Sequence, residues 1–130
     1  KPMTAQECNE QKDELGIENC YFDGDYWAGA VKQCGGVSKM PTMAQLAELA
    51  SQMYVGNPTI GAKQDKYDIQ YDPNSPVSKS LGLTPDFYLW SGEETSTNGR
   101  AYSRNFYTTD SGWRTYSRNY SNQQAVCLGE

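Results

Sequence analysis

Hydrophobic and polar positions along the chain keep a helical rhythm at first and a strand rhythm at the end, with a polar gap between. Thr4-Ala5-Gln6-Glu7 has the form of a capping box, so a helix is predicted from Thr4 to about Leu15, stopped by Gly16. A second short helix is predicted after Asp25, through Tyr26-Trp27-Ala28-Gly29-Ala30-Val31, ending at Gly35-Gly36. The third is the clearest. Thr42 and Gln45 make another capping box after Pro41, and Met43, Leu46, Ala47, Ala50, Met53 and Tyr54 recur at amphipathic spacing up to Gly56. From 57 to 85 the pattern dissolves into Gly, Pro, Asp and Asn, with one helical turn expected near 77–81. A loop of this length in a compact domain is often functional.

Beyond Thr84 the period falls to two. Phe87-Tyr88-Leu89-Trp90-Ser91 suits a buried strand ending at Gly92. Tyr102-Ser103-Arg104-Asn105-Phe106 and Tyr116-Ser117-Arg118-Asn119-Tyr120 form a near-repeat fourteen residues apart, with 108–112 between them as a turn. That period predicts two antiparallel strands with matching side-chain orientation. Gln124-Ala125-Val126-Cys127-Leu128 is expected to close the sheet as the last strand. Helices followed by a β-meander make the class α+β, in one domain whose residues 1–34 are its N-terminal helical part.

Composition narrows the function. At 130 residues there is room for a single domain, and no apolar run reaches the ~20 residues of a membrane span. No secretory hydrophobic region is present, so a targeting segment is expected to have been removed or never present. Sixteen acidic against eleven basic residues, net −5, argue against nucleic acid as a partner. The absence of histidine removes the commonest general base and metal ligand. Ten tyrosines in so polar a chain suit a recognition surface. Charge is also segregated: lysines stop at Lys79, and Arg100, Arg104, Arg114 and Arg118 all lie in the last third.

Cys8, Cys20, Cys34 and Cys127 include no C-x-x-C pair, which disfavours a metal site and favours two disulfides in an oxidising compartment. Three pairings are open. The preferred one staples Cys8 to Cys20 locally and ties Cys34 to Cys127. Asp65, Asp68, Asp72 and Asn74 lack the spacing of an EF-hand and read as a solvated acidic loop. Glu93-Glu94 is a poor acid–base pair, because adjacent strand residues point to opposite faces. Gly35-Gly36 lacks the rest of a phosphate loop. With oxidised cysteines and no activating base, the chain reads as a non-enzyme that needs no cofactor and no metal.

Residues 95–122 carry the strongest signal. They hold five Ser, five Thr, four Asn, four Tyr and four Arg, and no Lys, Glu or Met. This is close to a paratope's alphabet: Tyr gives rigid amphipathic area, Ser and Asn adaptable hydrogen bonds, Arg directed charge. An ordinary exposed sheet face would carry Lys and Glu as well, and neither occurs between 95 and 122.

Lys39-Met40-Pro41-Thr42-Met43-Ala44-Gln45-Leu46, the run FYLWSGEE at 87–94, and the terminal Gln124-Ala125-Val126-Cys127-Leu128-Gly129 together resemble a C-type-lectin-like fold. More specifically, the chain is similar to the variable proteins diversified by retroelements, in the version found on pilin-like surface proteins of gut bacteria. The resemblance runs from about Tyr26 and is strongest from Phe87 onward. It implies an extracellular or cell-surface location, on a pilus in some relatives, and an unknown surface ligand, protein or glycan, with other pilus subunits as further partners.

Such elements mutate adenines in template codons. Asn codons so randomised reach most residue types but not Lys, Glu, Gln, Met or Trp. Between 95 and 122 only Trp113 lies outside the reachable set. The resemblance casts Ala101, Phe106, Trp113, Ser121, Arg104 and Arg118 as scaffold, the two arginines pairing with Glu93 or Glu94. The implied ligand contacts are Asn98, Gly99, Arg100, Ser103, Asn105, Tyr107, Thr109, Asp110, Gly112, Arg114, Thr115, Tyr116, Ser117, Asn119, Tyr120 and Asn122. Simple alternation puts Ser103, Asn105 and Tyr107 on one face, and the second strand then needs a twist or bulge to bring its residues alongside. Tyr107 and Tyr116 are expected to be exposed rings whose removal leaves stability almost unchanged.

The sequence departs from the sugar-binding lectins, since it has neither Glu-Pro-Asn nor Gln-Pro-Asp with Trp-Asn-Asp. It also lacks the hydrophobic opening helix of pilin-like relatives, so Lys1 is expected to be a fragment boundary or a trimmed end. Two other readings stand beside the binding domain: a minor pilin or fibre subunit, and a relative of sulfatase-activating enzymes, which share a lectin-like core.

Overall fold

A computed structural model describes residues 1–128. Three helices form where the capping chemistry puts them. In α1 (Ala5–Leu15) Thr4 Oγ1 accepts from Glu7 N at 3.0 Å and Glu7 Oε1 accepts from Thr4 N at 3.1 Å; Gly16 then turns left-handed at φ 79°. Asp25 caps α2 (Tyr26–Cys34) through Ala28 N at 2.8 Å. Helix α3 (Met43–Ser51) has the Thr42/Gln45 box and a second acceptor, Glu93 Oε2, at 2.6 Å from Met43 N. It stops at Ser51, short of the predicted Gly56, while Met53 and Tyr54 remain in the core.

The polar stretch is more ordered than its composition predicts. It holds a two-residue strand β1 (Tyr67–Asp68) and helix α4 (Pro76–Leu81), the latter at the expected turn. Backbone bonds from Ile69 N and Tyr71 N to Thr109 O and Thr108 O stitch it to the last hairpin.

Strands β2 (Phe87–Glu94), β3 (Arg100–Phe106) and β4 (Asp110–Ser117) complete an antiparallel sheet in the order β1-β4-β3-β2. Two predicted strands are corrected. The second copy of the near-repeat is not a strand over 116–120: β4 begins at Asp110, where Tyr107 N bonds Asp110 O across a tight turn, and ends at Ser117. Residues 124–128 form no strand. Only Gln124 bridges, parallel to Leu89, with bonds to Tyr88 O and from Trp90 N.

The sheet separates two cores. Trp90 and Ala101 face α1 and α2, packing with Met3, Trp27, Val31 and Met40. Phe87, Leu89 and Phe106 point the other way, against Met43, Leu46, Met53 and Tyr54. The Cys8–Cys20 and Cys34–Cys127 disulfides are the preferred pairing, with Cα separations of 5.9 and 5.3 Å. The second closes a loop with a sequence separation of 93, worth about 4.7 kcal/mol in the chain-entropy picture. Among the described residues no helix is long and apolar enough to cross a membrane.

Candidate ligand-binding face

Strand register decides where the candidate residues point. Residues directly opposite across an antiparallel pair share a face. Ser103 pairs with Arg114, Asn105 with Gly112 and Ala101 with Tyr116, which places these on the α2 side of the sheet. Arg100 pairs with Ser117 and Tyr102 with Thr115, on the α3 side. The two strands therefore need no bulge, and the candidates divide between two faces. Asn98 and Gly99 lie in the β2–β3 loop, and Tyr107 and Thr109 in the hairpin turn beside Asp110. Asn119, Tyr120 and Asn122 follow β4.

Four of the candidates are corrected. Ser103 and Asn105 are 0% exposed, because β3 is the central partner of β2 and β4. A methyl group at Gly112 would meet Asp65 O at 2.0 Å, and one at Gly99, where φ is +77°, would meet Phe22 Cε2 at 2.9 Å. Both glycines are buried positions that the backbone requires, not tolerant contacts. Arg114 and Arg100 are half-buried and held within the chain. Arg114 Nη1 donates to Asp65 O at 2.6 Å and pairs with its carboxylate at 3.0 Å; Arg100 Nη2 donates to Thr115 O at 2.6 Å.

Three of the remaining candidates, Tyr107, Tyr116 and Tyr120, gather around a ring outside the candidate segment, while Thr115 and Ser117 stay on the α3 side and Asn98 in the β2–β3 loop. Tyr88 projects from β2 opposite to Phe87 and Leu89 and lies edge-on to Tyr107 (5.7 Å between centroids), Tyr116 (5.0 Å) and Tyr120 (6.3 Å). Tyr116 and Tyr120 stack nearly parallel at 5.0 Å. The hydroxyls of Tyr88 and Tyr107 are hydrogen-bonded. Burial pushes the Tyr88 hydroxyl well above the usual phenol range, and its bonds to Tyr107 and Tyr116 push the same way. All four rings are half-buried, so Tyr107 and Tyr116 are packed members of a cluster rather than free-standing exposed rings. Tyr88 lies outside the segment that composition singles out, in a run that suits a buried strand; the alternation Phe87-Tyr88-Leu89 is the signal that it faces away from its neighbours.

On the α3 side a second aromatic pair, Tyr102 and Trp113, stacks at 5.2 Å and 29° beside Met43, Lys63 and Glu93.

The scaffold residues divide as well. Arg118 is fully buried, 2.7 Å from Asp25 and 3.2 Å from Glu94, and lies over the Trp27 ring at 4.4 Å. Its carbonyl accepts from Tyr26 N and Trp27 N, so it fastens the end of β4 to the start of α2. Glu94 also accepts from Glu18 N at 2.7 Å, while Glu93 serves α3, as opposite-facing neighbours must. Arg104 differs: among the described residues it pairs with no carboxylate and donates to Ser111 Oγ at 2.9 Å. Burial lowers it to about 10. Ala101 and Phe106 are 0% exposed, whereas Ser121, expected as scaffold, is exposed.

All four cysteines are in disulfides, and no three acidic or cysteine side chains among the described residues converge as a metal site would require. Comparison of the chain with protein-family models, with curated proteins and with solved structures finds no match.

Proposed function

We propose that this chain is a surface-displayed, non-enzymatic ligand-binding domain of C-type-lectin-like fold, of the kind that retroelements diversify. The observation that carries the reading is the cluster of Tyr107, Tyr116 and Tyr120 around Tyr88, beside the exposed Thr109, Asn119 and Asn122. Half-buried tyrosines offer wide contact area at low entropic cost, and the polar side chains around them adapt to different partners. The frame beneath is held by other residues: two disulfides, the Arg118 ion pairs and the capped helices. Two disulfides also suit an extracellular site.

Sequencing of the gene's surroundings in clonal relatives tests the reading. The expected result is a near-identical repeat rich in AAC beside a reverse transcriptase. Substitutions should then fall at Tyr107, Thr109, Tyr116, Asn119, Tyr120 and Asn122, and spare Gly99, Gly112, Arg104 and Arg118. Absence of the repeat, or changes scattered over the helices, contradicts it and favours a fixed pilus or fibre subunit.

A further inference from the structure

Next to the tyrosine cluster, a cavity of about 450 Å³ opens between Asp86, Tyr88, Ser121, Asn122, Gln123 and Gln124. Its volume is that of a small ligand site, commonly about 300–1,000 Å³. Two features of its lining are unusual. The carboxamide Nε2 and Oε1 of Gln123 are both buried and both lack a hydrogen-bond partner among the described residues. Such a group costs about 1–3 kcal/mol unless something satisfies it. Asp86 uses one carboxylate oxygen to accept from Thr108 N at 3.1 Å, its other oxygen has no partner among the described residues, and the residue is exposed. No lysine or arginine lines the space, and the chain as a whole carries net −5.

We propose that this cavity is a subsite for one lysine or arginine side chain of a protein ligand. The inference rests on the ligand-binding reading of the adjoining face and adds the chemistry of what it takes. A basic side chain has the right two parts. Its aliphatic stem packs against the Tyr88 ring, whose face also attracts the cation. Its charged head meets the exposed Asp86 carboxylate, with the unsatisfied Gln123 carboxamide in the wall behind it, and the chain's net charge of −5 favours the approach of a basic partner. Asp86, Tyr88, Gln123 and Gln124 all lie outside residues 95–122. The preference for a basic group is therefore common to every variant, while the diversified side chains around it choose which protein supplies it.

Titration of the intact protein, followed by amide NMR shifts, tests this with four probes: the N-acetyl methylamides of arginine, lysine and citrulline, and a methyl mannoside. The expected result is saturable shifts at residues 86, 88 and 123 with arginine and lysine, weakened by salt, and little with citrulline or the sugar. Asp86→Asn keeps an acceptor for Thr108 N and so should fold. It should weaken the arginine probe about three- to tenfold and leave citrulline unchanged. Gln123→Ala should weaken arginine and citrulline alike. Equal binding of citrulline and arginine, or an Asp86→Asn variant that binds as wild type, overturns the proposal. So does silence from all probes up to their solubility. Binding of the mannoside alone assigns the cavity to glycan instead. These outcomes are separate from the gene survey: with a template repeat present, their failure removes the subsite and leaves the variable face.

Discussion

The two copies of the Tyr-Ser-Arg-Asn-aromatic motif share four letters and almost nothing else. The first lies in β3, the central strand of the hairpin pair, and Ser103, Arg104, Asn105 and Phe106 are all buried. The second starts in β4 and leaves it after Ser117, so Arg118 turns into the N-terminal core while Asn119 goes to solvent. Repetition therefore does not set orientation. Orientation comes from register, and register here comes from the short turn after Tyr107. One arginine becomes an ion-paired fastener and the other a lone cation inside the molecule.

The sharpest way to break this contrast is to remove each charge. Arg118→Met strands Asp25 and Glu94 without their partner and should cost about 3–5 kcal/mol. Arg104→Met removes an unpaired buried cation and should change stability by no more than about 1 kcal/mol. Denaturant unfolding of the two variants checks this; equal losses would mean the two arginines do the same work. The asparagines give the next largest difference. Asn105→Ala should cost about 1–3 kcal/mol because it loses its bond to Asp110 from a buried site, and Asn119→Ala about 0.5 kcal/mol or less. Tyr116→Ala, which unstacks Tyr120, should cost about 1 kcal/mol in aromatic contacts and more if its packing on the α2 core is lost.

The smallest effect is in alkaline solution. Tyr54 and Tyr88 both hold their protons above the usual phenol value of 10.0, chiefly through burial. A group raised in the folded state contributes stability that is complete below its unfolded value and lost as pH rises past it. Arg104, lowered to about 10 from 12.5, acts oppositely, since there the unfolded chain binds the proton more tightly. Stability should thus fall above pH 10.0, less steeply in Tyr88→Phe and more steeply in Arg104→Met. Thermal melts from pH 9 to 11 read the slopes, and identical slopes in all three proteins would contradict the assignment.

Much of this architecture was legible in the sequence because its signals are local. Thr4/Glu7 and Thr42/Gln45 place two helix starts, Asp25 a third, and Gly16 and Gly35 two ends. The pairing of Glu94 with an arginine was legible too, although only Arg118 takes it. What could not be read depends on distant chain. The Gly112 position looked adaptable, yet residues 64–65 run against it and exclude any side chain. The final run has the alternation of a strand, but the Cys34–Cys127 bond, a bridge at Gln124 and a bond from Leu128 N to Lys39 O hold it instead. Ser103 and Asn105 carry the alphabet of a binding surface inside a buried strand, because composition says nothing about which face a residue occupies.

The central claim is that the tyrosine face tolerates exchange on a frame indifferent to it. A displayed library that randomises Tyr107, Thr109, Asn119, Tyr120 and Asn122 together, scored for resistance to protease, measures that tolerance. It should be compared with a second library randomising Ser103, Asn105, Gly112 and Arg118. The account predicts that most clones of the first stay resistant and nearly all of the second are cleaved. Equal collapse of both libraries would show that the face is part of the frame.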